Sequence, residues 1–279
     1  MLEPSRCAVV TSELQNGVIG PSALFPELAR LAGRRLEAMA VVVDAARAAG
    51  VPVVHATVHR RADARGANTN AGVFGAALKR AREADFEDLL PGSAAAAVVD
   101  RIGLAETDIV LPRYHGLGPM HDTGLAAVLR NLGVRTVVPV GVSVNVAITN
   151  LVMDAVNAGF AVVLPGDAVA GVPEEYAESV IANTLSLLAV VVPAREIAGL
   201  WGVQPRAEPP AGGWSSAPGR CRTAAARGGR RSPPTRSPRR SASRWTASRT
   251  PAGRPRSPAP PRPRPPPPRA CRRTSASPR

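Results

Sequence analysis

The chain has 279 residues and a formal net charge of +14, and this charge is unevenly distributed. Residues 205–279 contain 19 Arg, no Lys and one acidic residue, a net charge of +18, which leaves −4 for residues 1–204. No apolar run approaches the ~18 residues of a membrane helix, and the three cysteines have neither disulfide nor metal-ligand spacing. Composition therefore argues against a membrane protein or a disulfide-rich secreted protein, and a reducing cytoplasm is the expected location.

The composition changes sharply near residue 205. Residues 205–279 hold 18 of the 29 prolines and show almost no apolar periodicity, so this tail is predicted to be disordered with polyproline II character. Three interpretations of it stay open: binding of RNA or another polyanion through arginine, no specific role, or out-of-frame translation of GC-rich DNA. Nucleic acid is not expected elsewhere. We therefore expect one α/β domain at 1–204 and a disordered tail at 205–279.

The first half of the domain alternates between strand and helix patterns. Cys7 to Glu13 is typical of a buried strand, and the apolar spacing from Pro26 to Gly50 predicts a helix. A second strand is predicted from Pro52 to Val58. The polar, Gly-rich segment from Arg60 to Ala76 predicts a loop with a short helix after it. Ser93 to Ile102 predicts a further helix.

The second half continues the alternation with four strands and three helices. In chain order these lie at Asp108–Leu111, Asp122–Asn131, Thr136–Val140, Asn145 onward, Ala161–Leu164, Glu174–Leu188 and Val190–Val192. Strands that alternate with helices indicate a three-layer, doubly wound, mostly parallel α/β sheet.

One stretch, VVPVGVSVNVAITN at Val137–Asn150, marks the expected site. A short apolar strand reaches a glycine and leads directly into a helix, as in the βα turn of a parallel sheet. Ligands of such sheets bind at the carboxyl ends of the strands. Backbone N–H groups of Ser143 and Ala147 would then hold a carboxylate or carbonyl oxygen. Ser143 and Asn145 are expected either to line this site or to cap the helix.

The segment GVSVNVAITNLVMDAVNAGF resembles the signature of the isochorismatase-like cysteine hydrolases. The Asp154-Ala155 and Gly159-Phe160 pairs match that signature, and the resemblance extends over roughly residues 7–200. It implies an isochorismatase-like, Rossmann-like fold and a hydrolase ancestry. It also implies that Ala147 occupies the position of the family's nucleophilic cysteine.

The same resemblance assigns the other two catalytic positions. In the family the first strand ends in an Asp that acts as base, and Glu13 of Ser-Glu-Leu-Gln takes that place. A Lys follows the third strand, and Arg113 takes its place. The resemblance further implies a non-proline cis peptide between Val142 and Ser143, a homo-oligomer and no cofactor.

These substitutions leave several functions open. An alanine methyl cannot attack a carbonyl, and a guanidinium with a pKa above 12 cannot shuttle protons. The first hypothesis is a protein that binds a small anionic or aromatic ligand with little or no thiol-type hydrolysis. The second is a hydrolase of C–N, ester or ether bonds that activates water, with Glu13 or a histidine as base. A Glu13–Arg113 pair that only joins strand ends is a structural alternative.

The four histidines are weaker candidates. His115 and His121 lie in a Gly-rich loop beside Arg113, where they would bind the ligand or act as acid or base if they point inward. His55 and His59 have a spacing compatible with one face of a strand. Packed or exposed side chains are favoured for them over a metal site, so no metal is expected.

Overall fold

The structure is a computed structural model that describes residues 2–21, 23–83 and 89–202, without the side chains of residues 80–83. The boundary at 204 and the tail at 205–279 therefore lie outside the described residues. Seven strands form the sheet: β1 (Cys7–Ser12), β2 (Val53–Val58), β3 (Ile109–Arg113), β4 (Thr136–Val142), β5 (Ala161–Pro165), β6 (Val169–Ala170) and β7 (Val190–Val192). The α-helices are α1 (Asn16–Ile19), α2 (Pro26–Ala48), α3 (Gly72–Glu83), α4 (Leu125–Asn131), α5 (Thr149–Asn157), α6 (Glu174–Asn183) and α7 (Ala194–Leu200).

The strands pair in the order β3-β2-β1-β4-β5-β7, with β6 beside β4, and every strand pair is parallel. All residues of β1 and β4 are buried, which explains their almost continuous apolar sequence at the centre of a sheet covered on both faces. The predicted doubly wound α/β fold is confirmed.

Helices cover the sheet on both faces and give two apolar cores. On one face α2 and α7 pack against the sheet through side chains such as Met39, Val43 and Ile197. On the other face α4 and α5 contribute Leu129 and Leu151. No helix among the described residues is long and apolar enough to span a membrane.

The helix predicted at Ser93–Ile102 is wrong: this segment consists of turns with one isolated bridge to Gln15. Its carbonyl groups bond to the distant start of the chain instead of to the next helical turn. The amide of Asn16 donates to Ala97 O at 2.9 Å, and the amide of Gly17 donates to Ala95 O at 2.8 Å. These long-range hydrogen bonds therefore outweigh the helix propensity of the alanines in this segment.

Other differences concern element ends and short elements. The last predicted helix, Glu174–Leu188, ends at Asn183 and is followed by a 3₁₀ turn, Leu185–Leu187. Three short elements, α1, β6 and α7, were not predicted; they have four, two and seven residues. Helix α7 leads to Trp201, whose Nε1–H donates to the carbonyl oxygen of Leu2 at 3.1 Å.

Candidate functional site

Three strand ends meet at one edge of the sheet. Strand β1 ends at Ser12, β3 ends at Arg113, and β4 ends one residue before Ser143. Gly141 allows the central strands to approach, because a Cβ at this position would lie 2.4 Å from Ser12 O. The residue after β1, Glu13, has a φ of 57°, which costs a non-glycine residue about 1 kcal/mol. These elements bring the predicted positions to one edge.

Glu13 and Arg113 form an ion pair through Oε1 and Nη2. Strand β2 lies between their strands, a separation of roughly 10 Å at the usual strand spacing. The long arginine side chain spans this gap. The side chain of Arg113 is only 4% exposed, and that of Glu13 is 18% exposed. The pair thus closes the floor of the site.

The guanidinium of Arg113 is incompletely paired. Its Nε and Nη1 are buried and have no hydrogen-bond partner among the described residues. An unsatisfied buried donor costs about 1–3 kcal/mol. An anionic group at this position would supply the missing acceptors, and a carboxylate matches the geometry of the guanidinium fork.

The turn after β4 supplies the third side of the site. The Val142–Ser143 peptide is cis, as the family resemblance implied. A π-helical turn, Val144–Ile148, follows and leads into α5. Asn145 Nδ2 donates to Val172 O at 3.1 Å, while its Oδ1 is buried without a partner among the described residues. Ala147 presents a methyl group at the position where the resemblance places a thiol.

These residues line one cleft of about 530 Å³. Glu13, Arg113, Ser143, Asn145 and Ala147 all contribute to it. Its walls are mainly apolar and come from α2, α3 and the loops: Leu24, Phe25, Leu28, Val58, Val73, Phe74, Leu89, Leu117, Val146 and Val172. A largely apolar cleft with a few polar groups at its floor is typical of a small-molecule site.

Comparison with known proteins agrees with this architecture. A family model described as the isochorismatase domain matches residues 7–196. The chain belongs to the isochorismatase family. It is thus related to isochorismatase-like hydrolases, and no curated protein matches it. The solved structures that resemble it share the fold of this family.

Three of these solved structures show the extent of the likeness. N-carbamoylsarcosine amidase from Thermoplasma acidophilum is 21% identical, with a TM-score of 0.54, over 68% of this chain and 96% of that one. A cysteine hydrolase from Pseudomonas syringae pv. phaseolicola 1448A is 19% identical, with a TM-score of 0.56, over 72% and 94%. An isochorismatase family protein from Desulfovibrio vulgaris subsp. vulgaris str. Hildenborough is 22% identical, with a TM-score of 0.59, over 72% and 100%.

The two loop histidines do not line the cleft of this isochorismatase-family chain. His115 lines a smaller neighbouring pocket. His121 is 75% exposed and lies 3.2 Å from the carboxylate of Asp122. Neither is among the residues that line the cleft, and their role in ligand binding stays a prediction.

His55 is part of the core. Its Nε2 lies 3.1 Å from Asp108 Oδ2, and its Nδ1 lies 2.8 Å from Thr11 Oγ1. Because a carboxylate only accepts, Nε2 carries the hydrogen and Nδ1 accepts from the threonine hydroxyl. Burial lowers the pKa of His55. The described residues contain no group of three or more His, Cys, Asp or Glu placed to hold a metal ion.

Gln15 and the apolar wall were missed by the sequence reasoning. The Gln15 side chain is fully buried, and its Nε2 donates to Val58 O at 3.0 Å and Ala96 O at 2.9 Å. Its Oε1 accepts from the Val58 amide at 2.7 Å. Gln15 thus fixes the end of β2 beside the cleft. A glutamine three residues after an apolar strand was the available signal.

Proposed function

We propose that this isochorismatase-family chain binds a small anionic or aromatic ligand in the cleft and has little or no thiol-type hydrolysis. The supporting observation is the floor of the cleft, where Glu13, Arg113 and Ala147 come together without a sulfur atom. The proposal takes Ala147 as the counterpart of the family's nucleophile. Without a thiol at this position, a covalent intermediate with sulfur has no route.

Cys7 does not offer a substitute nucleophile. It lies at the opposite end of β1 from Glu13, six residues away, which is roughly 20 Å along a strand. Burial raises the pKa of its thiol to about 11, so the reactive thiolate is scarce near neutral pH. Cys221 and Cys271 lie outside the described residues.

The chemistry of the cleft supports the ligand class. The apolar walls favour an aliphatic or aromatic body. The incompletely paired Arg113 guanidinium favours a carboxylate or a related anion at the floor. The Oδ1 atom of Asn145 is a further buried acceptor without a partner among the described residues.

Calorimetric titration with benzoate and a series of alkanoates tests the proposal. Arg113→Ala should abolish their binding, since the variant removes the cation at the floor. Arg195→Ala is the matched control, because this exposed arginine of α7 lines neither the cleft nor its neighbouring pocket. Unchanged binding by the Arg113→Ala protein, if it remains folded, would show that the pair joins strand ends only.

A panel of amides and esters tests the competing function of water activation. The proposal expects no turnover above background by the unmodified protein. Turnover within the usual enzyme range of ~1–10³ s⁻¹ would replace it with a hydrolase that uses water. A loss of that turnover in Glu13→Gln would then identify Glu13 as the base.

A further inference from the structure

A second, smaller pocket of about 70 Å³ lies beside the cleft. The loop after β2 provides half of its lining residues, and the others come from the end of β2, from Phe74 and Leu78 of α3, and from the residues after β3. Arg60, Arg61 and Arg65 line it, and the described lining contains no acidic residue. The main cleft, in contrast, contains both Glu13 and Glu27 as well as two arginines. The side pocket is therefore lined by more arginines than the cleft, and one of them, Arg61, is paired with Asp63.

Hydrogen bonds give this loop a defined shape. Arg61 makes a bidentate pair with Asp63 at 2.9 and 2.8 Å, and Asp63 Oδ1 also accepts from the Arg65 amide at 3.1 Å. Asn68 Oδ1 accepts from the amide of Gly116 at 2.7 Å, which joins this loop to the segment after β3. The arginines are thus presented on a loop that is tied at both sides of the pocket.

Two groups in the side pocket have unused hydrogen-bonding capacity. Arg65 is exposed, and its guanidinium is not used in a hydrogen bond or ion pair with another described residue. His59 Nδ1 is buried without a partner among the described residues, while Nε2 lies 3.3 Å from Thr57 Oγ1. When Nε2 accepts from the threonine hydroxyl, Nδ1 carries the hydrogen and is a donor.

The two cavities adjoin each other. Val58, Arg60, Phe74 and Gly116 line both the cleft and the side pocket. A ligand with its apolar body in the cleft would therefore reach the side pocket with one end. The small volume of the pocket suits one polyatomic anionic group and not a second ring.

We infer that the side pocket is a subsite for a phosphoryl group, so that the ligand is a phosphate monoester with a carboxylate at its other end. This inference rests on the proposed function, because it places the carboxylate beside Arg113. Arg65 and His59 would hold the phosphoryl oxygens, because the Nε and Nη2 atoms of Arg61 already pair with Asp63. Charge-assisted hydrogen bonds to several oxygens favour a phosphoryl group over a neutral end group.

The test uses ω-phosphonooxyalkanoates with two to six methylene groups and the corresponding plain alkanoates. Calorimetry of the full chain gives the affinity of each pair, and thermal melting checks that each variant is folded. At least one phosphorylated member should bind about tenfold or more tightly than its plain counterpart, as two charge-assisted contacts allow. Arg65→Gln and Arg65→Glu should reduce or remove this gain without changing the binding of the plain alkanoate.

Control variants separate the two sites. Arg113→Ala should weaken both members of each pair, whereas Arg195→Ala should weaken neither. If alkanoates bind through Arg113 but the phosphoryl group brings no gain at any length, the subsite inference is wrong and the proposed function stands. If neither series binds to the unmodified protein, both are wrong. A gain that persists in Arg65→Glu would also overturn the subsite.

Discussion

His55 and Asp108 are joined by a 3.1 Å hydrogen bond in the core, between a fully buried imidazole and a carboxylate that is 2% exposed. Arg47 of α2 pairs with the same carboxylate at 2.6 Å, and the Ala105 amide donates to it at 2.8 Å. Thr11 completes the group on β1. One carboxylate thus connects α2, β2 and the turn that precedes β3.

The first prediction concerns the pH dependence of stability. Burial lowers the pKa of His55 below the ordinary 6.5, although the neighbouring carboxylate acts in the opposite direction. As the pH falls below about 6.5, the unfolded chain takes up a proton that the folded protein excludes, so the free energy of unfolding decreases. One group contributes at most about 1.4 kcal/mol per pH unit. Urea unfolding between pH 7.5 and 5 measures this slope.

His55→Gln should reduce the dependence of the free energy of unfolding on pH. The difference in slope between this variant and the unmodified protein gives the contribution of His55. His59→Gln is a useful comparison, since burial also lowers the pKa of His59. The pKa of Asp108 also lies below its ordinary value. Burial alone would raise it, but hydrogen bonds from Arg47, the Ala105 amide and His55 lower it. Stability linked to Asp108 is present above about pH 3.8 and decreases only at lower pH. Equal slopes in His55→Gln and the unmodified protein would contradict the assignment.

The second prediction compares two aspartates that contact Arg47. Asp108→Asn removes the charge beneath Arg47 and should lower the free energy of unfolding by about 3 kcal/mol, as expected when a buried pair loses one partner. Asp44 lies 3.8 Å from Arg47 but is 53% exposed. Asp44→Asn should therefore cost about 1 kcal/mol or less. Chemical unfolding of both variants measures the contrast, and equal losses would count against it.

The third prediction uses two glycines with opposite surroundings. A Cβ at Gly118 would lie 1.6 Å from Asn150 Oδ1, so Gly118→Ala should destabilise the fold by about 1–3 kcal/mol. Gly75, within α3, has nothing within 4 Å of the same added atom. Gly75→Ala should stabilise by about 0.5–1 kcal/mol. Thermal unfolding compares them, and Asn150→Ala should restore part of the stability lost in Gly118→Ala.

The fourth prediction introduces a thiol at the floor of the cleft. Ala147→Cys should be alkylated faster than Cys7, because it lies near Arg113 and the start of a helical segment, which favour a thiolate. Mass spectrometry of the modified peptides distinguishes this cysteine from Cys7, Cys221 and Cys271. A slower reaction at position 147 than at Cys7 would show that the position is not accessible from the cleft.

The same variant should still lack efficient hydrolysis, because the family resemblance implies that proton transfer needs the Asp and Lys that it does not restore. The triple variant Glu13→Asp, Arg113→Lys, Ala147→Cys restores all three residue types named by the family resemblance. It should hydrolyse family substrates faster than Ala147→Cys alone. Equal rates in the single and triple variants would show that positions 13 and 113 do not limit the chemistry.

The sequence predicted the position of the site better than its walls. In a parallel sheet all strands end at one edge, so alternating elements were sufficient to bring Glu13, Arg113 and Ser143 together. Phe25 and Phe74 form part of the wall because of the way α2 and α3 pack. Local sequence patterns do not predict this packing. Segment 93–102 was misread for a related reason, since its carbonyls bond to residues about 80 positions earlier in the chain.

The hydrogen bond from Trp201 to Leu2 brings together two residues at the beginning and end of the described part of the chain. In a protein shortened to residues 2–202, a short glycine linker between the two ends would therefore close the backbone into a ring. New ends could then be opened in the exposed turn around Glu106, before edge strand β3, without cutting the cleft or the side pocket. A circular permutant would thus have a different order of strands along the chain but the same strands in the sheet, and it would retain the whole cleft.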